Sequence, residues 1–213
     1  IEEDPAKIIR NQDNTLIDFN RSGVPLVEIV TEPEIYSEDE LSAFLHELRS
    51  ILYYQDIDIN REIKADLNIS LSDERVEVKN IIGIKNIIDA TRYEIERQSY
   101  LISSGKKPIK ETRMYDEKDK VTKSSREKES DEEYGYIYET DLADYDTKSL
   151  NINSIIIPSE VATELSNRHN YSKDTITELI SLDKKAYLLI KSNENKYDFP
   201  SIINVIEVLK RFD

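Results

Sequence analysis

The chain has 213 residues, enough to bury a core and compatible with one or two domains. It has no cysteine, so there is no disulfide, thiolate nucleophile or zinc–thiolate site, which fits a cytosolic protein; no run approaches the ~18 apolar residues of a spanning helix. The net charge of −15 is uneven, with 21 Lys/Arg against 35 Asp/Glu in residues 1–150 and 8 against 9 in residues 151–213, so the acidic part repels bare phosphate backbone and suits cations or basic partners.

The first segment, residues 15–19, reads as a short strand. The run DFNRSGVPLVEIVTEPE at 18–34 then gives a polar turn with Gly23 and Pro25, followed by an apolar strand over 25–31 interrupted by one acid, Glu28. A lone carboxylate in an apolar run is costly unless it is solvated, paired or bound to metal, so Glu28 is either the surface residue of a two-faced strand or part of a site. Ser37 with Glu40 three residues on forms a capping box, and Leu41, Phe44, Leu45, Leu48, Ile51 and Leu52 recur behind it at helical spacing, predicting a helix to about Tyr54.

Residues 63–71 alternate, with Ile63, Ala65, Leu67, Ile69 and Leu71 on one face and Lys64, Asp66, Asn68 and Ser70 on the other. Alternation resumes after Asp73-Glu74 with Val76 and Val78, which predicts a hairpin with Leu71 opposite Val76, Ser70 opposite Glu77 and Asn68 opposite Lys79. A second helix is expected from about Asn86 to Ser103, its stripe made by Ile84, Ile87, Ile88, Ile95 and Ile102 and its stop by Gly105.

Residues 106–133 carry nine basic and nine acidic side chains and read equally as a solvated loop or as edge strands. Tyr134, Tyr136 and Tyr138 alternate at strand spacing. Beyond about residue 151, Ser159, Ser172, Asp183 and Asp198 each stand where a helix could be capped, which predicts a small all-helical domain closed by Ile202, Val205, Ile206 and Leu209. The chain opens on Ile1 and ends on Asp213 directly after that apolar pattern, so it is expected to be a piece of a longer protein, cut at both ends.

Four glycines and no glycine-rich loop exclude a P-loop or dinucleotide fingerprint. His46 and His169 fall on predicted helices without a catalytic partner and read as ordinary helix residues. What remains are carboxylates on or beside strands: Glu2-Glu3-Asp4, Glu28, Asp66 and Glu77, with Asn68 sharing the face of Asp66. Such a face could hold Mg²⁺ and ATP, because hard cations take oxygen ligands together with water and phosphate. A half-solvated sheet carries polar residues on its outer face anyway, and pattern alone leaves both readings open.

Seven runs, in order, carry a resemblance: EEDP at 2–5, DFNRSGVPLVEIVTEP at 18–33, RSIL at 49–52, DLNISL at 66–71, VEVKN at 76–80, YEIERQ at 93–98 and ETRMYDE at 111–117. The chain resembles the GatB family, the activating subunits of the aspartyl/glutamyl-tRNA amidotransferase, most clearly from residue 1 to about 142. The resemblance implies an α+β fold: an antiparallel-sheet cradle domain like that of glutamine synthetase and guanido kinases over 1–148, then the start of a small all-α domain over 149–213. It implies ATP and Mg²⁺ as cofactors, the amidase subunit and the small third subunit of the same complex as partners, misacylated tRNA as substrate, and no membrane. In the implied reaction the side-chain carboxyl of Glu-tRNA(Gln) or Asp-tRNA(Asn) is phosphorylated, and ammonia from glutamine then displaces the phosphate.

Carried over by motif, Glu3, Glu28 and Glu77 look like the metal-site acids, with Glu28 and Glu77 as the catalytic pair. Asp66, Asn68 and Lys79 look like cofactor or phosphate contacts. Arg21, Gly23 and Pro25 are as readily explained by shaping the turn before Glu28. The chain departs from the family in three places. INREIKADLN at 59–68 is short and lacks a glycine, EYGYIYETDL at 133–142 has Gly135, Tyr138 and Thr140 at an arginine and two prolines, and the family's N-terminal Glu/His strand is not in the sequence. The alternative readings are a diverged, non-catalytic cradle that docks the amidase or tRNA, and the archaeal GatE relative specific for Glu-tRNA(Gln).

Overall fold

The computed structural model describes residues 2–3, 7–10, 14–20, 25–57, 63–125, 148 and 155–212. The chain forms two compact units, residues 1–36 and 37–213.

The first unit contains two short antiparallel ladders. β1 (Glu2–Glu3) pairs with β4 (Pro25–Leu26), and β2 (Lys7–Arg10) pairs with β3 (Thr15–Asp18). The strand expected over 25–31 therefore ends at Leu26. Ladders this short supply little pairing, and none of the described side chains in this unit is buried.

The second unit is an α+β layer continuing into helices. Helix α1 (Glu38–Tyr54) starts where the capping pattern puts it, the Ser37 hydroxyl accepting from the Glu40 amide at 3.1 Å. Four strands follow, in spatial order β5 (Lys64–Ile69), β6 (Val76–Ile82), β7 (Glu111–Asp116) and β8 (Val121–Ser124). The expected antiparallel sheet is in fact mixed: β5–β6 and β7–β8 are antiparallel, whereas β6 and β7 are parallel. The cause is the 20-residue helix α2 (Ile84–Ser103), which carries the chain back along the sheet before β7 begins. Charged residues 111–124 thus form two strands rather than a loop.

The sheet buries Val76, Val78 and Ile81 against Leu41 and Leu45 of α1 and Ile87 and Ala90 of α2. The expected α2 stripe of isoleucines is only partly the buried one: Ile87 is buried, Ile102 is exposed, and Thr91, Glu94 and Gln98 complete the covered face. The β5–β6 register also differs by two residues from the one read in the sequence. Ile69 lies opposite Val76 and Asn68 opposite Glu77, which keeps every apolar residue on its face. Buried Gln98 ends the ladder there, its side chain accepting from the Leu71 amide at 3.0 Å and donating to the Ile69 carbonyl at 3.2 Å.

Four helices close the unit: α3 (Pro158–His169), α4 (Lys173–Ile180), α5 (Lys184–Asn193) and α6 (Phe199–Leu209). Ser172, Asp183 and Asp198 cap α4, α5 and α6 as expected, whereas α3 starts on Ile157-Pro158 and Ser159 lies inside it, donating to Glu47 at 2.6 Å. Their core holds Leu165, Ile176, Ile180, Ile190, Phe199, Ile202, Ile203 and Ile206. Val205 and Leu209, expected inside, are exposed. His169 stacks on Phe199 at 4.1 Å, a packing role, and His46 is exposed on α1.

Candidate functional site

Backbone alternation decides what each face of the sheet carries. Val76 and Val78 point to the helices, so Glu77 between them and Lys79 just beyond point away. Asn68 lies directly across from Glu77 on β5, and Asp66, two residues along, shares its face. On the other side of β6, Thr112 is the register partner of Glu77 and Met114 that of Lys79. Asp66, Asn68, Glu77 and Lys79 are thus brought together on one polar face of β5–β7.

Contacts on this face are specific. The Thr112 hydroxyl donates to Glu77 Oε2 at 3.3 Å, and Lys79 Nζ lies 3.8 Å from the same oxygen. Both partners are partly shielded, with side-chain exposures of 17% for Lys79 and 26% for Glu77, so the pair feels a lower dielectric than a surface pair. Asp66 has a backbone partner: its Oδ1 accepts from the Asn80 amide at 3.2 Å. Asn80 is left-handed, with φ of 61°, where Lys79 and Asn80 form a bulge opposite Asp66. Asp66 therefore stabilises the bend that aims Lys79, a role its motif did not announce.

The first unit holds the other expected acids. Glu3 is the last residue of β1, in register with Pro25, and Glu28 is an exposed residue two positions beyond β4. The turn residues Arg21 and Gly23, the Tyr134–Tyr138 alternation and the EYGYIYETDL run lie outside the described residues.

Behind the polar face lies a cluster that sequence reading missed. Glu94 has no exposed surface, and Arg97 reaches it at 2.6 Å, Gln98 at 2.9 Å and the Thr122 hydroxyl at 2.9 Å. Arg113 donates to Thr122 Oγ1 at 2.7 Å and to Glu111 at 3.0 Å, and lies 3.5 Å from Glu94. Burial pushes the Glu94 carboxyl up, but hydrogen bonds from Arg97, Gln98 and Thr122 outweigh it and hold the group below the usual glutamate range. The runs YEIERQ and ETRMYDE meet here; their shared signal was two charged runs on elements that must bury one face.

The donors on the polar face are oxygens from Asp66, Asn68 and Glu77 beside one ammonium, the set that suits a hard divalent cation with a polyphosphate. Among the described residues no group of three or more His, Cys, Asp or Glu comes close enough to hold a metal by itself. Mg²⁺ in general keeps water and phosphate ligands and takes only one or two carboxylates from protein. No helix among the described residues is long and apolar enough to cross a membrane.

Comparison with known proteins bears on the same segment. A family model described as the GatB/GatE catalytic domain matches residues 1–153. The chain is 48% identical over 155 residues to the GatB subunit of the aspartyl/glutamyl-tRNA(Asn/Gln) amidotransferase of Saccharolobus solfataricus, and 46% identical over 155 residues to that of Sulfolobus acidocaldarius. Each match covers 68% of this chain and 33% of the relative. To the GatB subunit of Pelagibacter ubique it is 36% identical over 226 residues, covering 100% of this chain and 42% of the relative. The chain spans about a third of the length of the first two relatives. By the match over residues 1–153, the chain belongs to the GatB/GatE catalytic-domain family.

Proposed function

We propose that this chain is part of the activating subunit of a tRNA-dependent amidotransferase, a ligase of protein synthesis acting in the cytoplasm. The observation that carries the reading is the polar face of β5–β7, where Asn68, Glu77 and Lys79 stand together inside the segment matched to the family. In this reading residues 1–148 belong to a cradle domain like that of glutamine synthetase and guanido kinases, and 149–213 begin a helical domain. The relatives are named as GatB subunits, which favours that reading over the archaeal GatE one.

The chemistry is activation followed by amidation. A side-chain carboxylate oxygen of Glu-tRNA(Gln) or Asp-tRNA(Asn) attacks the γ-phosphorus of ATP, and ADP leaves. Ammonia, released from glutamine by the amidase, adds to the resulting acyl phosphate; inorganic phosphate leaves and one proton is lost. A carboxylate is a poor electrophile, and the phosphate leaving group removes that difficulty. When bound, Mg²⁺ neutralises charge on the transferring phosphoryl oxygens. Of the chain's own residues, Glu77 supplies a carboxylate for the cation, Lys79 an ammonium for phosphate oxygens and Asn68 an amide that orients the bound groups. Asp66 acts by shaping the bulge that carries Lys79. Glu3 and Glu28, in the first unit, keep their assignments by motif, Glu3 as a metal acid and Glu28 as a metal and catalytic acid, each testable by itself. The small third subunit, alongside the amidase, is the remaining member of the complex.

The test uses the full-length protein co-purified with its amidase partner, with ATP cleavage followed in Mg²⁺. Turnover should rise when misacylated Glu-tRNA(Gln) or Asp-tRNA(Asn) is added, and Glu77→Gln should abolish amide formation while the complex still assembles. Absence of stimulation by either tRNA, in a complex that assembles and binds tRNA, would replace the reading by a docking module without phosphoryl transfer.

A further inference from the structure

Resting on that reading, one residue outside the motif assignments stands out. Thr112 sits on β7 between two residues turned the other way. Glu111 and Arg113 face α2, where Glu111 meets Arg97 at 3.1 Å and Arg113 meets Thr122 and Glu111. The Thr122 carbonyl also accepts from Arg113 Nη2 at 2.6 Å, so both flanks of Thr112 are fixed to the buried cluster around Glu94. A strand held on both sides of one residue presents that residue in a defined place, and the parallel register puts it opposite Glu77. Its hydroxyl reaches Glu77 Oε2, the oxygen that Lys79 also approaches. Among the described residues no hydrogen bond reaches Oε1. The two oxygens of one carboxylate are therefore treated differently, one anchored to the sheet and the other left to an incoming ligand.

We propose that Thr112 is a positioning residue for Glu77: its hydroxyl, set by the buried Glu94–Arg113 cluster behind β7, holds Oε2 so that Oε1 is presented to a divalent cation carrying a nucleoside triphosphate. A ligating carboxylate whose second oxygen is hydrogen-bonded loses less freedom on binding, and such supporting bonds affect metal affinity strongly.

The experiment measures equilibrium binding of Mn²⁺ to the full-length protein in its complex, with a non-hydrolysable ATP analogue, by electron paramagnetic resonance. Thr112→Val keeps the shape and removes the hydroxyl; Thr112→Ser keeps the hydroxyl. Valine should weaken Mn²⁺ binding about tenfold, serine should restore it to within about twofold of the natural protein, and thermal unfolding should be the same in both. The proposal is overturned if valine binds Mn²⁺ as the natural protein does while Glu77→Gln does not bind; the assignment of Glu77 then stands without it. It is equally overturned if valine and serine are impaired alike with lowered melting, which marks a packing role. Undiminished binding by Glu77→Gln removes the reading of the site itself, and this inference with it.

Discussion

A carboxylate without solvent access, such as Glu94, is tolerated only where hydrogen bonds and opposite charge replace its water, and here Arg97, Gln98 and Thr122 do so. Its depressed proton affinity makes it a source of stability above the ordinary glutamate value of 4.5, lost as pH falls through the lower folded-state value. Urea unfolding followed from pH 7 to pH 3 should show that loss in the natural protein. Glu94→Gln should be weaker by about 3–5 kcal/mol at pH 7 and lose less on acidification; parallel pH curves for the two proteins would contradict the assignment. The polar-face residues were legible in the sequence because a period of two forces Asp66 and Asn68, and likewise Glu77 and Lys79, onto shared faces. Thr112, Glu94 and Gln98 were not legible. Thr112 lies in a run where charges mask alternation, and the buried stripe of α2, apolar at Ile87 and Ala90, turns polar at Thr91, Glu94 and Gln98.

At the level of elements, the β6 bulge shows how one backbone setting organises several side chains. Asn80 has φ of 61°, a region that costs a β-branched residue more than asparagine or glycine. Asn80→Val should therefore lose about 1–2 kcal/mol, whereas Asn80→Gly should stay within about 0.5 kcal/mol, as read from urea midpoints. Equal losses in both would mean that the amide side chain matters more than the turn. The existence and type of α1, α2, β5 and β6 were readable from periodicity, and three of the four C-terminal caps from a polar residue before an apolar run. The two-residue slip between β5 and β6 was not, because shifting an alternating strand by two leaves every apolar residue on its face. Nor was the parallel pairing of β6 with β7, since nothing in residues 111–116 marks which neighbour they join. Ser159 looked like a cap by residue type, but Pro158 already sets the first turn of α3 and frees the hydroxyl for Glu47.

Across the larger unit, α1 serves two cores. Leu41 and Leu45 pack on the sheet, while one turn further on the Ser50 hydroxyl donates to the Ser181 carbonyl and the Tyr54 hydroxyl to the Ile180 carbonyl at 2.6 Å. Tyr54 also meets the edge of Tyr187 at 5.8 Å, and Lys184 pairs with Asp56. Burial, aided by the charge of Asp183, pushes the Tyr54 hydroxyl well above the usual tyrosine range, so it stays a donor at any working pH. Tyr54→Phe should cost about 1 kcal/mol and speed hydrogen exchange at the α4–α5 turn before it affects the sheet; uniform acceleration throughout would argue against a local fastening. The same arrangement sets an order of events on the ribosome. Tyr54 and the carbonyl it binds are 126 residues apart, roughly 6–25 s of synthesis at bacterial-to-eukaryotic speeds. The partners Glu77 and Thr112 are separated by only 35 residues. The sheet can thus close early in translation, while Ser50 and Tyr54 at the end of α1 wait for the end of α4 before their hydroxyls find partners.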